Sequence, residues 1–574
     1  MNSFRESMQQ VLQETAGSIY PLLTDLASQA ANTYTLVARW LFPLLSLVIL
    51  VRCLVPLIRE RSTDTVWGYL VLANGTSIPV RNWENLIGRG KYADIVVNFP
   101  VISRSHAVLT FRNGSWTIAD LGSKGGITVN DVKVDKAQEI QFGDVISLAG
   151  IDMALVPPVQ NEALVPTGAA GNSGDTDEEK DFTLNSTVTL MLLFLFQVLA
   201  VVQLFASRAS MTLAALPVFG IFFLTELFHY FIMRKLQSKS IELEILVYFL
   251  CGLNLALVAS AAPSDLKKQL AAILIGIAAY TVITWLCLDL GRARRLKYLA
   301  LVGGVLLLIL NLAFGERIYG ARNWINLGFI TFQPLEFVKI AFVLAGTATL
   351  DRLLTTRNMT AFIAFTGACI ITLALIRDFG TAVVFFGAFL VIAFMYSGDL
   401  RTLFLVTAGA AFAGIAVVTF MPYIAMRFAA WGKVWQYADS SGFQQTRTMI
   451  AAASGGLFGV GSGNGYLKNI AAADTDLVFG ILCEEWGMLV ALCVVLVIVF
   501  FVFYAVLLTK NSRSAFYAIA ACGAATIFLL QTALNVLGSV DVLPLTGVTI
   551  PFISNGGSSM VASWGLLAMI RSAV

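Results

Sequence analysis

Residues 453–487, ASGGLFGVGSGNGYLKNIAAADTDLVFGILCEEWG, are the stretch on which the reading of this chain turns. A glycine-rich polar run ends in Asp474-Thr475-Asp476, the sequence becomes apolar at Leu477, and Glu484-Glu485 follow inside the apolar run. The stretch closes a long polar segment, 425–476, that interrupts an otherwise hydrophobic two-thirds of the chain. Carboxylates at the mouth of a membrane span are costly to desolvate, so a protein that keeps them there generally uses them. The segment is therefore the expected seat of chemistry.

Composition sets the class. Of 574 residues, 57% are hydrophobic and only 13% charged, with a mean hydropathy of +0.79. Soluble domains carry roughly 25% charged residues, so this is a polytopic α-helical membrane protein whose first partner is the bilayer. The net charge of +3 says little, because placement of charge outweighs its sum in such chains. Nothing in the sequence points to nucleic acid. Seven cysteines lie in apolar runs without framework spacing and read as small core residues. The two histidines, His106 and His229, are too far apart to anchor a His-based zinc site.

Residues 1–60 comprise a polar, partly amphipathic segment (1–30) and an apolar run at 34–58 that reads as a retained anchor. Arg52, Arg59 and Arg61 at its end place residue 60 onward in the cytoplasm. Residues 65–157 change character: short alternating runs such as Ala107–Phe111 and Trp116–Ile118 are separated by Asn74-Gly75, Asn113-Gly114 and Gly143-Asp144. That pattern means a small all-β sandwich. Residues 158–183 read as a flexible linker.

Twelve apolar spans are expected after it, near 187–206, 211–233, 243–262, 268–290, 297–314, 335–352, 360–376, 379–396, 402–422, 477–508, 514–538 and 549–571. The first two (184–240) stand apart, and the last ten make a core over 241–574. If every span crosses, Arg234-Lys235, Arg292 to Lys297 and Lys510 with Arg513 share the cytoplasmic side with the β-sandwich. The loops 315–334, 425–476 and 539–548 then fall outside.

The β-region resembles a forkhead-associated (FHA) domain in Gly88-Arg89, Ser103-Arg104-Ser105-His106, Asp120-Leu121-Gly122-Ser123, Val129-Asn130 and Phe142-Gly143-Asp144. The resemblance implies a phosphothreonine-peptide site in which Arg89 and Ser103 contact phosphate with Arg104 nearby, while His106 holds the loop. A guanidinium and a hydroxyl suit a phosphate dianion. The family's Asn-Gly-Thr is Gly125-Gly126-Ile127 here, which leaves a phosphate-independent docking module as the alternative.

Four segments of the membrane region carry chemistry. Gly320-Ala321-Arg322-Asn323-Trp324 leads to Phe332-Gln333-Pro334-Leu335-Glu336-Phe337-Val338-Lys339, where Glu336 and Lys339 share a helix face and could neutralise each other. Arg377-Asp378-Phe379-Gly380-Thr381 is a charged break in which Asp378 could cap the next helix. The third is the opening stretch, whose glycines resemble a phosphate cradle in composition but lack the Gly-Lys-Ser/Thr ending. The fourth, from Leu545-Thr546-Gly547 through Pro551-Phe552-Ile553-Ser554-Asn555-Gly556-Gly557-Ser558-Ser559, suggests irregular backbone lining a cavity.

Together, in this order, the four segments resemble the SEDS family, the RodA and FtsW proteins of bacterial cell-wall synthesis. The resemblance implies a SEDS fold and a glycosyltransferase that polymerises lipid II beside a class B penicillin-binding transpeptidase. It makes Asp476 the general base, on the acceptor 4-hydroxyl or through a divalent cation (Mg2+ or Mn2+). Arg322, Lys339 and Arg447 are expected to meet the diphosphate leaving group, and Trp324, Gln333, Glu336, Asp378, Ser558 and Ser559 to line the substrate site. Three departures stand out: Ala471-Ala472 and Asp474 replace the family's Pro-Glu and His, Asn555 replaces its Tyr, and Arg377-Asp378-Phe379-Gly380-Thr381 stands for its Pro-Asp-Leu-Gly-Thr. A lipid-precursor flippase and an inactive cell-wall scaffold are the competing classes.

Overall fold

The computed structural model describes residues 2–59, 66–90, 93–112, 114–135, 137–158, 186–207, 212–237, 241–318, 321–326, 328, 331–348, 356–420, 425, 428–512 and 514–573. The expected linker at 158–183 lies almost wholly outside them. Helix α1 (Asn2–Arg59) runs unbroken through both the polar segment and the anchor expected separately at 1–30 and 34–58. The β-sandwich follows, from β1 (Gly68–Leu72) to β11 (Ile151–Val156). Its six-stranded and five-stranded sheets enclose Leu70, Ile87, Leu109, Ile118, Ile146 and Leu155. In β1, buried and half-buried residues alternate, as the period-2 pattern requires.

The membrane region opens with α2 (Ser186–Ala206), α3 (Thr212–Gln237), α4 (Glu242–Ala261), α5 (Leu266–Cys287) and α6 (Leu290–Phe314). A three-stranded β-patch, β12 (Glu316–Ile318) to β14 (Thr331–Phe332), leads to α7 (Pro334–Gly346), then α8 (Thr356–Ile376), α9 (Phe379–Ser397) and α10 (Leu400–Phe420). Next come α11 (Phe443–Gly455), α12 (Val478–Trp486), α13 (Met488–Asn511), α14 (Ala515–Ser539) and α15 (Gly557–Ser572). Among the described residues, nine helices are long and apolar enough to cross a bilayer.

Local chemistry explains the boundaries. Helix α4 is mostly apolar and buried on nearly every side, so it forms the centre against which α1, α2 and α5 pack. Asp289 caps α6 through the amides of Gly291 and Arg292, and Ser514 caps α14 through Phe516. Pro334 occupies the first turn of α7, where its missing N–H costs nothing.

Three spans differ from expectation. The run at 477–508 is two helices, because Gly487 (φ +91°) turns the chain and a Cβ there would lie 2.4 Å from the Leu457 carbonyl. The span expected at 335–352 is the 13-residue α7, and that at 549–571 begins only at Gly557, since Pro551 and Phe552 (φ +64°) hold 549–556 as irregular backbone. Short helices and irregular backbone are tolerated at membrane depth where protein covers them, and α15 packs into α5 and α14. The 425–476 segment, read as a loop, carries α11 and two 3-10 turns.

Helix α14 links the two ends of the molecule. At its N-terminus the Ser514 hydroxyl donates to Glu84 Oε2 of the β-sandwich (2.8 Å), and Trp83 meets Tyr517 edge-on at 6.4 Å. Near its C-terminus, Asn535 reaches Asp476. Its 25 residues span about 37 Å, more than the ~30 Å of a bilayer core.

Candidate functional site

Asp474, Thr475 and Asp476 are held in place from one side. The backbone turns at Ala472 (φ +60°), and the Asp476 amide donates back to the Ala472 carbonyl at 2.9 Å. Asn535 Nδ2 donates to the carbonyls of Asp476 (3.0 Å) and Val548 (2.6 Å). Ser554 Oγ donates to the Thr475 carbonyl at 2.8 Å. Asn555 binds Asp474 twice, amide to carbonyl at 2.9 Å and Nδ2 to Oδ2 at 2.7 Å. These bonds leave the half-buried Asp476 carboxylate beside Gly547: a Cβ at that glycine would lie 3.2 Å from Asp476 Oδ2.

The loop that holds Asp474–Asp476 is itself held from the core. Buried Asn254 of α4 donates to the carbonyls of Ile553 (2.8 Å) and Ser554 (3.1 Å). Gln269 of α5 donates to Asn254 Oδ1 (3.0 Å), and its own Oε1 accepts from the Gly556 amide (3.2 Å). Asn254, Gln269 and Asn535 escaped the sequence reading. Their signal was available: an amide side chain inside an apolar span is expensive without partners. Four non-glycine residues with positive φ, Arg377, Ala472, Asp541 and Phe552, sit in these same connecting segments, a concentration of backbone strain of the kind found at functional sites.

The remaining expected residues fall into two groups. Asp378 caps α9 by accepting from the Thr381 amide (3.0 Å), and its other oxygen accepts from buried Asn323 (3.2 Å). This segment lies on the 546–548 loop, since a Cβ at Gly380 would meet Val548 at 2.7 Å and Thr546 at 2.9 Å. Asp378 and Asp476 thus flank one loop. Trp324 is half-buried on β13 (Ala321–Asn326) beside exposed Arg322. In the second group, the Gln333 amide donates to Ser558 Oγ (3.1 Å), and Ser559 pairs with Thr549 (3.0 Å).

Glu336 and Lys339 form a 2.7 Å ion pair with side chains only 7% and 2% exposed. The lysine charge is therefore committed to Glu336, which leaves Arg322 and Arg447 as the cations open to a leaving group. Arg447, on α11, is half-buried over the Phe443 ring at 5.1 Å.

Glu484 and Glu485 are anchors of the glycine-rich stretch. Glu484 accepts from the Tyr466 and Leu467 amides, both at 2.9 Å, and Glu485 from Ser260 (2.6 Å) and Ser462 (3.3 Å). The glycines here pack backbone on backbone: a Cβ at Gly459 would lie 2.4 Å from the Glu485 carbonyl. The composition that resembled a phosphate cradle is accounted for by this close packing. No cluster of three His, Cys, Asp or Glu forms among the described residues, and the Asp474 carboxylate is engaged by Asn555. A divalent ion at Asp476 would therefore meet no cage of carboxylates among the described residues.

In the β-sandwich, Arg89 and Ser103 are neighbours. The Arg89 amide donates to the Ser103 carbonyl (3.1 Å) and the Gly90 amide to that of Arg104 (3.0 Å). The Arg89 and Arg104 side chains are exposed. Buried His106 accepts from the Ser103 amide at Nδ1 (3.1 Å), and its Nε2 lies 3.1 Å from the Gly126 carbonyl. Ser103 Oγ accepts from the Lys124 amide (3.2 Å), so three loops converge on Ser103. Asn130 and Asp144 lock a distant turn: Asp144 accepts from Asn130 (2.9 Å) and the Gln141 amide (2.8 Å), which holds its carboxyl below the usual range.

A Cβ on Gly125 would lie 2.2 Å from Ala149 Cβ, so the asparagine usual in FHA domains has no room. Gly125→Asn is expected to destabilise the β-sandwich by about 1–3 kcal/mol through overpacking, measured by chemical unfolding of residues 65–157, and Ala149→Gly in the same protein is expected to relieve it.

The family profile for the FtsW, RodA and SpoVE group, described as cell cycle protein, matches residues 245–574, and that of the FHA domain matches 85–149. The chain belongs to the FtsW/RodA/SpoVE family. The probable peptidoglycan glycosyltransferase FtsW of Coxiella burnetii is 31% identical over 345 residues, covering 58% of this chain and 83% of the relative. The peptidoglycan glycosyltransferase RodA of Mycobacterium leprae is 30% identical over 329 residues, 53% of this chain and 68% of its own. A solved chain from a peptidoglycan synthase complex is 24% identical with a TM-score of 0.49, covering 58% of this chain and 98% of that one.

Within this FtsW/RodA-type chain, two of the three departures noted in the sequence touch each other. Asp474 and Asn555 make one two-bond contact in the segment that leads to Asp476.

Proposed function

We propose that this protein is a peptidoglycan glycosyltransferase that polymerises lipid II, with Asp476 as the general base. The observation that carries the reading is the Asp476 carboxylate beside Gly547, on backbone held by Asn535, Ser554 and Asn555. Fixed backbone around a half-buried carboxylate suits abstraction of a proton from the acceptor 4-hydroxyl as that oxygen attacks the anomeric carbon. Arg322 and Arg447 are the cations assigned to the diphosphate leaving group, where negative charge develops. Mg2+ or Mn2+ held at Asp476 would take its other ligands from water and the diphosphate, whose charge it would neutralise.

The active site is assigned to the outer face of the cytoplasmic membrane and the FHA domain to the cytoplasm. Attachment of the two at opposite ends of α14, with Lys510 near the FHA end, supports this orientation. A class B penicillin-binding transpeptidase is the expected partner on the outer side. On the inner side, a phosphothreonine protein is the expected ligand of Arg89, Ser103 and Arg104.

Purified protein supplied with lipid II in detergent, with and without the transpeptidase and with and without EDTA, tests the enzyme. Detergent leaves no second leaflet, so glycan polymer cannot arise from transport. Polymer under any of these conditions supports the reading; its absence under all of them leaves a flippase or a scaffold. For the FHA domain, Arg89→Ala is expected to weaken phosphothreonine-peptide binding by about tenfold or more, read by isothermal titration. Equal binding of the unphosphorylated peptide would assign the domain to phosphate-independent docking.

A further inference from the structure

Helices α1 and α2 lie outside the matched family region and pack beside the glycine-rich stretch. Gln203 of α2 donates to Thr35 of α1 (3.1 Å), and a Cβ at Gly461 would meet both, at 2.9 and 2.8 Å. The Trp40 and Phe458 rings lie tilted against each other with centroids 3.9 Å apart, and Phe42 meets Trp486 edge-on at 4.7 Å. Between α1, the end of α2 and residues 460–464 lies a cleft of about 420 Å3, lined by Asn32, Thr35, Leu36, Arg39, Ser207 and Asn464 among others.

Three features of this cleft point to one ligand. Among the described residues its lining contains a single charged residue, Arg39. The Arg39 side chain is half-buried, and neither it nor Asn32 makes a hydrogen bond or ion pair with any described residue. A half-buried guanidinium without an anion is unfavourable unless a ligand supplies one. Leading away from the cleft, Leu36, Trp40, Leu44 and Leu47 form an exposed stripe along α1 (60%, 61%, 57% and 50% exposed), and Val198, Val202 and Phe205 do the same on α2. The cleft thus sits where the polar end of α1 meets its exposed apolar surface.

We propose that this cleft binds the phosphate headgroup of an acidic phospholipid. Arg39 pairs with the phosphate, and Asn32, Ser207 and Asn464 face the polar part of the headgroup. The acyl chains lie along the Leu36–Leu47 stripe. The bound lipid would join α1 to Val460 and Asn464 in the segment that Glu484 and Glu485 anchor.

The test uses the full-length protein, delipidated in detergent and followed by native mass spectrometry during titration with phosphatidylglycerol, phosphatidylcholine or farnesyl diphosphate. Thermal unfolding of each variant confirms that it is folded. Phosphatidylglycerol is expected to occupy one site more tightly than phosphatidylcholine. Arg39→Gln should weaken that site by about tenfold, while Arg39→Lys retains most of the binding and Arg295→Gln, on α6, leaves it unchanged. Equal phosphatidylglycerol affinity in wild type and folded Arg39→Gln would overturn the proposal. So would equal affinity for the two phospholipids, or Arg39-dependent binding of farnesyl diphosphate in place of phosphatidylglycerol.

Discussion

Asp476→Asn is expected to reduce glycan polymer formation from lipid II by about 10²–10⁴-fold, the usual worth of a positioned general base. The substitution keeps the shape of the side chain, and the bond from Asn535 runs to the Asp476 carbonyl, so the backbone strap survives. Only the ability to take up a proton is removed. Asp474→Asn is the matching control: its side-chain oxygen can still accept from Asn555, and polymer formation is expected to stay within a few-fold of wild type. Gel separation of labelled glycan from both variants measures the contrast. Equal loss in the two would show that the segment acts through shape and would remove the base from Asp476.

Glu336→Gln is expected to destabilise the protein by about 3–5 kcal/mol, because it strands a buried lysine charge. The pair lies 2.7 Å apart with almost no exposure, so water cannot replace the lost carboxylate. The double change Glu336→Leu with Lys339→Met removes both charges and is expected to recover most of that stability. Thermal unfolding in detergent gives the stability, and the polymerisation assay adds a second readout. Recovery of activity in the double variant is expected if Lys339 serves only its partner. A stable but inactive double variant would return Lys339 to the leaving group.

Much of the architecture was legible because hydrophobic runs long enough to cross a bilayer admit few alternatives. The β-sandwich was equally visible in its alternation and turn residues. Two of the misjudged spans, 477–508 and 549–571, share one cause. At Gly487, Pro551 and Phe552 the chain remains apolar while its backbone departs from the helix, and hydropathy does not register a change of φ. The glycines of 455–463 misled in another way: composition resembled a phosphate cradle, whereas their use is close backbone packing against Glu484 and Glu485.

Family-type motifs in the sequence nominated Asp476, Asp378, Arg322 and the serines at 558 and 559, yet gave no hint of which would meet. Tertiary structure decided that Asp378 and Asp476 flank one loop, that Gln333 joins Ser558, and that Lys339 is committed to Glu336. It also supplied the amides, Asn254, Gln269 and Asn535, that hold the loop from buried helices. The division follows from the physics. Crossing a membrane is a property of a segment's own composition and length, which the sequence carries outright. Hydrogen-bond partners of buried polar groups depend on which helices come to lie side by side, and only the folded chain determines that.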